Sequence, residues 1–332
     1  MVTIYDVAKR AGVSPATVSR VFGGQTPVTA NRAAAVQAAA AELGFVPNRN
    51  ARRLRTSSSE IIAMMVPDIA NPFYMLLTRA VEDVARAAGY SVMLCNTDED
   101  PAREQEYLRV AASEPVAGII ITPGAGTDLG WALTRGVPVV CVDRHPPRRV
   151  TDAVVVDNTE SAAAATRRLY EAGYHQLACI TGPDTIETSN ARLGGFATVV
   201  RSVTGAEPDP ALILRARYVL DADGERAAAQ LMALPDPPDA IFAANNRLAT
   251  GTLRALHRLG LLPPAVGLVS FGGPPSVLFT PPGVVVTYLP TRDIGTTAAH
   301  MLLERIAGLD IPPRSVTLPV AMEDPAGDNQ QW

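Results

Sequence analysis

Thr3-Ile4-Tyr5-Asp6-Val7-Ala8-Lys9-Arg10-Ala11-Gly12-Val13-Ser14-Pro15-Ala16-Thr17-Val18-Ser19-Arg20 is the stretch whose reading decides how this chain begins to fold. Thr3 is a natural N-cap, and Asp6, three positions on, has the capping-box spacing and lies against the positive helix end. Ile4, Val7, Ala8 and Ala11 recur at i, i+3, i+4 and i+7, one apolar helical face, and Gly12 follows as a stop. Ser14 caps a second helix whose first position, Pro15, needs no backbone donor. Val18 and Val21 turn inward on it, which leaves Pro15, Ala16, Ser19 and Arg20 on the outer face. The spacing predicts a helix-turn-helix, with Arg20 suited to a guanine edge or a phosphate. Helix-turn-helix geometry also occurs in proteins that never touch DNA.

Working outward, Thr29 is placed to cap a third helix with an inward stripe of Ala33, Val36, Ala40 and Leu43, ending at Gly44. Residues 45–56 then form a short, Arg-rich, helix-capable stretch around Pro47, and Ser57-Ser58-Ser59 reads as a flexible joint. Residues 1–59 carry eight basic side chains against Asp6 and Glu42, a net of +6. Since the whole chain is −4, the remainder stands at −10. A basic head on an acidic body confines any nucleic-acid contact to one end.

The remainder alternates apolar runs with amphipathic ones. Residues 60–66, 91–95, 118–121, 138–142, 177–181, 240–243 and 266–271 read as buried parallel strands, and 73–88, 100–113, 159–172, 221–234 and 245–259 as the helices between them. That alternation predicts doubly wound α/β lobes, and the length suits two of them behind a small all-α head.

Enzyme motifs are missing: there is no Gly-x-Ser-x-Gly elbow, His-Glu-x-x-His, Walker A loop or Cys-x-x-Cys pair. The loop from Gly124 to Gly130 lacks dinucleotide spacing and reads as a strand-to-helix turn. His145, His175, His257 and His300 are dispersed, without metal-ligand spacing, so neither a metal nor a cofactor is expected. Cys95, Cys141 and Cys179 sit in strand-like runs and read as buried reduced thiols. No run approaches a membrane span and no apolar leader precedes the first helix, so the expectation is a cytoplasmic chain.

The chain resembles the LacI/GalR (lactose/galactose repressor) family of transcriptional regulators from Thr3 to about Val320. The resemblance is carried by residues 6–20, by 48–55, by Val66-Pro67-Asp68-Ile69-Ala70-Asn71-Pro72-Phe73 and by Asn96-Thr97-Asp98-Glu99-Asp100-Pro101. It implies a helix-turn-helix domain over 1–47, a hinge helix and linker over 48–59, and an effector-binding and dimerisation body over 60–332 of periplasmic-binding-protein type. Within the body it implies an N-lobe of about 60–157 plus 291–320 and a C-lobe of about 158–288 plus the C-terminal residues. The family docks as a homodimer on a near-palindromic double-stranded operator. The resemblance places Pro15, Ala16 and Arg20 against base edges, and Tyr5, Ser14, Thr17, Ser19, Thr29 and Asn31 against phosphates. It also implies that Asn48, Arg49, Ala51, Arg52, Arg53 and Arg55 pair with their twins in the minor groove around Leu54, which wedges between central base pairs.

For the small-molecule effector, the resemblance points to Asn71, Phe73, Asp98, Asp143, Arg144, Arg192 and Tyr218. The chain departs from the family at Asn246 in place of Asp, at Gly272-Gly273 in place of Asp-Asp, and at Leu289 in place of a frequent Gln. Groups that accept hydrogen bonds from sugar hydroxyls are thereby thinned while both arginines remain. The open readings are a sugar, another metabolite that is anionic or less hydroxylated, or no effector at all. A ligand-independent repressor and a solute-binding protein are the alternatives; the latter fits poorly with the basic head. The resemblance makes repression relieved by ligand the commoner mode and corepression the minority one, and the sequence does not decide between them.

Overall fold

The computed structural model describes residues 2–23, 28–45, 59–146, 148, 150–218, 220–274 and 280–322. The chain divides into two units, Met1–Ser59 and Glu60–Trp332.

In the first unit, α1 (Ile4–Ala11) begins with a complete capping box. The Thr3 amide and hydroxyl donate to the Asp6 carboxylate at 2.8 and 2.7 Å, and the Asp6 amide donates back to the Thr3 hydroxyl at 3.4 Å. Hydrogen bonds from the Thr3 side chain and backbone hold the Asp6 carboxyl below its ordinary pKa. Gly12, at φ +65°, ends α1 in the left-handed region that glycine tolerates. α2 (Pro15–Gly23) starts where the Thr17 amide donates to Ser14 Oγ at 3.2 Å. α3 (Ala30–Leu43) corrects one expectation: Thr29 stands at its N-cap, yet its side chain makes no capping bond. Val7, Val18 and Val36 are fully buried, with Ala8, Ala39 and Ala40 around them, and Phe22 and Phe45 close the cluster with ring centroids 6.0 Å apart.

The second unit consists of two sheets. The first has the order β11-β5-β4-β3-β1-β2, all pairs parallel, from β1 (Ile61–Val66), β2 (Ser91–Asn96), β3 (Gly118–Ile121), β4 (Val139–Val142), β5 (Asp152–Val156) and β11 (Ser315–Leu318). The second has the order β12-β10-β9-β8-β6-β7, from β6 (Leu177–Thr181), β7 (Ile213–Arg215), β8 (Ala240–Ala243), β9 (Gly267–Ser270), β10 (Val284–Tyr288) and β12 (Ala321–Met322). Only the β10–β12 pair is antiparallel among those described. Helices α4 (Pro72–Ala87), α5 (Pro101–Ser113), α6 (Gly130–Thr134) and α11 (Thr291–Ile306) belong with the first sheet; α7 (Asn158–Glu171), α8 (Glu187–Thr204), α9 (Asp221–Met232) and α10 (Asn246–Leu259) belong with the second. The chain crosses between sheets after β5, after β10 and after β11. Strands such as Ile-Ile-Ala-Met-Met-Val are apolar on both faces because helices cover both, so burial is continuous and not alternating.

Strand order reverses beside β1 in the first sheet and beside β6 in the second. The crevice at the carboxyl end of such a reversal is where doubly wound sheets hold ligands. The segment after β1 carries Asn71, and the segment after β8 carries Asn245 and Asn246, so both faces are furnished by sheet topology itself.

Asp152 ties the N-lobe together. Its side chain is 1 % exposed and accepts from Arg305 Nη2 at 2.8 Å, from Arg314 Nη2 at 3.1 Å and from the Arg314 amide at 2.8 Å. Burial alone would raise this carboxyl, but the arginine hydrogen bonds outweigh it and the pKa lies below the ordinary value. Cys95, Cys141 and Cys179 are buried free thiols, and burial pushes the first two up to about 11 and about 12.

Candidate functional site

On the head, the turn Gly12-Val13-Ser14 sets α2 against α1, with Val18 inward and Ala16 and Arg20 exposed. Pro15, Thr17 and Ser19 are half-buried at the margin of the same face, and Ser14 Oγ lies 3.0 Å from Thr17 Oγ1. Tyr5, 70 % exposed, and the exposed Thr29 and Asn31 add polar groups on α1 and α3. The face offers Arg20 as its charged donor and hydroxyls and an amide around it. Asn48, Arg49, Ala51, Arg52, Arg53, Leu54 and Arg55 lie outside the described residues.

In the body, the carboxyl ends of both sheets converge on one buried cavity of about 40 Å³. Asn71, Phe73, Asp143, Arg144, Arg192, Tyr218, Asn246, Gly272 and Leu289 all line it. Asn71 Oδ1 caps α4 by accepting from the Phe73 amide at 3.0 Å, and it also accepts from Asn246 Nδ2 at 3.2 Å, a hydrogen bond between the lobes. A second link is Arg247, whose Nη1 donates to the Ala70 carbonyl at 3.3 Å while Nε sits 2.7 Å from Asp221. A third is His145, whose amide and Nδ1 both meet the Glu187 carboxylate at 2.8 Å.

The polar wall is built around two buried arginines. Arg192 donates from Nε to Asn158 at 2.7 Å and from Nη1 to the Ala244 carbonyl at 2.7 Å, and its plane lies 4.3 Å from the Phe271 ring centre. Arg144 is held in a two-pronged pair by Glu99 at 3.0 and 2.5 Å. Burial alone would depress the Arg144 guanidinium; Glu99, then Tyr74 and Asp143, more than reverse this and raise it. Asp143 accepts from the Tyr74 hydroxyl at 3.1 Å, and burial first, then the Asp143 charge, pushes that phenol well up.

Asp98 is corrected by the geometry. It is turned away to Arg103 and to Asn96 Nδ2, and does not line the cavity. Its neighbour Glu99 enters instead, because Asp98 and Glu99 both sit at positive φ, 54° and 56°, which reverses the direction that side-chain alternation suggests. Sequence reasoning also missed Asp68, Tyr74, Thr188, Asn245 and Phe271 as lining residues. Tyr74 follows Phe73 and Asn245 precedes Asn246, both of them singled out, and the first turn of α4 and the cap of α10 bring both members of each pair to the cavity.

The opposite wall is apolar. A Cβ on Gly272 would lie 3.3 Å from Leu289 Cδ1, so two of the positions that depart from the family pattern are neighbours. Tyr218 Oη is buried there without a hydrogen-bond partner among the described residues.

Two family models match this chain. Bacterial regulatory proteins of the lacI family match residues 3–48, and the periplasmic binding proteins and sugar binding domain of the LacI family match residues 59–324. The chain belongs to the LacI family. This LacI-family chain is 34 % identical to the ribose operon repressor of Halalkalibacterium halodurans over 307 residues, 92 % of this chain and 91 % of that one. Among solved structures it is similar to the transcriptional regulator CelR–cellobiose complex, with TM-score 0.72 and 27 % identity over 98 % of this chain and 99 % of that one. It also shares the fold of the Lac repressor dimer bound to operator and the anti-inducer ONPF, with TM-score 0.81 and 24 % identity over 97 % and 98 % of the two chains. It is a DNA-binding transcriptional regulator with a ligand-binding body, and its relatives are regulators, not enzymes. Among the described residues there is no cluster of three or more metal-ligating side chains and no helix long and apolar enough to cross a membrane.

Proposed function

We propose that this regulator binds a near-palindromic double-stranded operator as a homodimer, one α2 in each half-site, and represses transcription from the cytoplasm. A small molecule held between the lobes of the body sets its affinity for that operator. Arg20 carries the polar base readout, since Pro15 and Ala16 offer only van der Waals contact with thymine methyls. Ser14, Thr17, Ser19, Tyr5, Thr29 and Asn31 fix register on phosphates. Leu54 wedges into the central step, with Asn48, Arg49, Ala51, Arg52 and Arg55 alongside it in the minor groove. No catalytic step is part of this reading.

The observation that carries the effector half is the cavity itself. Polar side chains from both sheet reversals face one buried space, and the Asn71–Asn246 bond joins the two sides. A volume of about 40 Å³ holds a few waters, one of which needs roughly 10–15 Å³, and falls short of the roughly 150 Å³ that takes up benzene. A metabolite therefore enters only when the lobes part, and its size sets their angle on closing. Footprinting upstream of the protein's own and neighbouring genes, with and without compounds found by thermal shift, tests the whole. A protected palindrome whose occupancy changes with such a compound supports the reading; protection indifferent to every compound that binds the body removes its effector half.

A further inference from the structure

The Glu99–Arg144 pair sits where a ligand's own charge would sit. Arg144 is 4 % exposed and lines the cavity, yet its guanidinium fork is filled by a carboxylate from the chain. That carboxylate is delivered by Asp98 and Glu99, two consecutive non-glycine residues in the left-handed region, a conformation that costs backbone strain. Charge in the polar wall is balanced once Arg247 is counted: Arg144 and Arg192 face Asp143 and Glu99, and Asp68, the third carboxylate lining the cavity, lies 3.9 Å from Arg247. An added anion would leave one buried negative charge uncompensated, whereas an anion that displaces Glu99, itself 18 % exposed, out to solvent past Asp100 and Glu104 keeps the balance at Arg144.

Glu99 also has somewhere to go. It lines a second cavity of about 90 Å³, where Thr122 Oγ1 is buried without a hydrogen-bond partner. Asp100 and Glu104 line that cavity too; Glu104 is held by the Gly124 amide and the Thr127 hydroxyl, and burial pushes its carboxyl up.

The rest of the first cavity describes the remainder of the ligand. Asp143 Oδ1 and Arg192 Nη2 lie 4.0 Å apart and make no hydrogen bond of their own among the described residues, so one hydroxyl fits between an acceptor and a donor. Beyond it, Phe271, Gly272 and Leu289 form an apolar stretch, with the unpartnered Tyr218 hydroxyl as the polar group buried beside it.

Resting on the reading of this cavity as the effector site, we propose that the effector is a small hydroxy- or keto-carboxylate. Its carboxylate takes Arg144 from Glu99, its hydroxyl bridges Asp143 and Arg192, and its carbon chain lies on Leu289. A neutral polyol, by contrast, leaves Glu99 on Arg144.

Titration calorimetry on the full-length protein tests this with a panel of hydroxy- and keto-carboxylates of three to six carbons, each beside its neutral sugar or amide counterpart. At least one carboxylate is expected to bind wild type roughly tenfold tighter than its neutral counterpart. Glu99→Gln removes the competing charge and is expected to tighten that carboxylate by about threefold to tenfold. The double variant Glu99→Gln with Arg144→Gln keeps the pair neutral and hydrogen-bonding, so that folding survives, and is expected to lose carboxylate binding. Weaker or unchanged carboxylate binding in Glu99→Gln overturns the proposal. Binding of neutral sugars alone overturns it while leaving the effector reading intact. Binding of neither class, with operator binding preserved, removes the effector reading and this inference with it.

Discussion

Asn71 Oδ1 accepts two hydrogen bonds at once, from the Phe73 amide at 3.0 Å and from Asn246 Nδ2 at 3.2 Å. One oxygen therefore both starts helix α4 of the N-lobe and fastens that lobe to the C-lobe. The two functions separate by mutation. Asn71→Ala loses the cap and the link, and is expected to lower stability by about 1 kcal/mol more than Asn246→Ala, which loses the link alone. Urea titrations with equal slopes and displaced midpoints measure the difference. Equal midpoints would show that the cap contributes nothing.

On the head, Arg20→Ala and Ser14→Ala are expected to weaken operator binding in different ways. Removing Arg20 costs about 1–3 kcal/mol on the operator and little on unrelated DNA, so specificity relaxes. Removing the Ser14 hydroxyl weakens both kinds of DNA alike, because phosphates carry no sequence. Fluorescence anisotropy on operator and scrambled duplexes separates the two patterns; an equal loss on both duplexes for Arg20→Ala rules out base readout by this side chain.

Leu54→Ala is expected to weaken operator binding while leaving the dimer intact, since the wedge supports the bent DNA and not the subunit contact. Mobility shifts paired with sizing by light scattering test it, and an unchanged operator affinity excludes the wedge.

Much of this was legible because the signals were local. Thr3 and Asp6 announce the capping box, and Val7, Val18 and Val36 the head's core, from spacing alone. Runs such as residues 61–66 declare buried strands by being apolar throughout. What escaped was decided at long range. Helix α8 hides its period because Arg192 and Gly195 face inward among apolar residues, the one for Asn158 and Ala244, the other for close approach to α7. Strand β5 opens on Asp152, which reads as surface until Arg305 and Arg314, far away in sequence, are seen to neutralise it. The choice of Glu99 over Asp98 rests on two backbone angles that no alternation rule supplies.

Asp152 also makes stability depend on acidity. Its folded pKa lies below the ordinary carboxylate value, so its stabilisation is complete above the unfolded pKa of roughly 3.9 and is lost as pH falls through the lower, folded value. Asp152→Asn leaves Arg305 and Arg314 without their shared anion and is expected to cost about 3 kcal/mol at neutral pH. The loss shrinks below about pH 4, where the carboxyl of the unfolded wild-type chain begins to protonate. Thermal melts across pH 3–7 check the convergence; parallel curves would place the effect in packing and not in charge.

Gly251 lets α10 approach the backbone of α9 closely. A Cβ there would stand 1.9 Å from the Asp221 carbonyl oxygen and 2.5 Å from the Glu225 amide nitrogen, both backbone atoms that cannot swing aside. Gly251→Ala must therefore push the helices apart, at a cost of about 1–3 kcal/mol. The displacement reaches further than stability. Asp221 on α9 holds Arg247 on α10 at 2.7 Å, and Arg247 in turn donates to the Ala70 carbonyl of the N-lobe at 3.3 Å. Moving Asp221 relative to Arg247 loosens one of the links that close the cleft. Gly251→Ala is accordingly expected to speed hydrogen exchange at the amides after β1, around Ala70 and Asn71, beyond what the lower global stability produces. Arg247→Gln provides the calibration, since it removes the link without separating the helices. If Gly251→Ala lowers the melting temperature while exchange at those amides rises only in step with global unfolding, the α9–α10 contact supports its own lobe and has no part in closing the cleft.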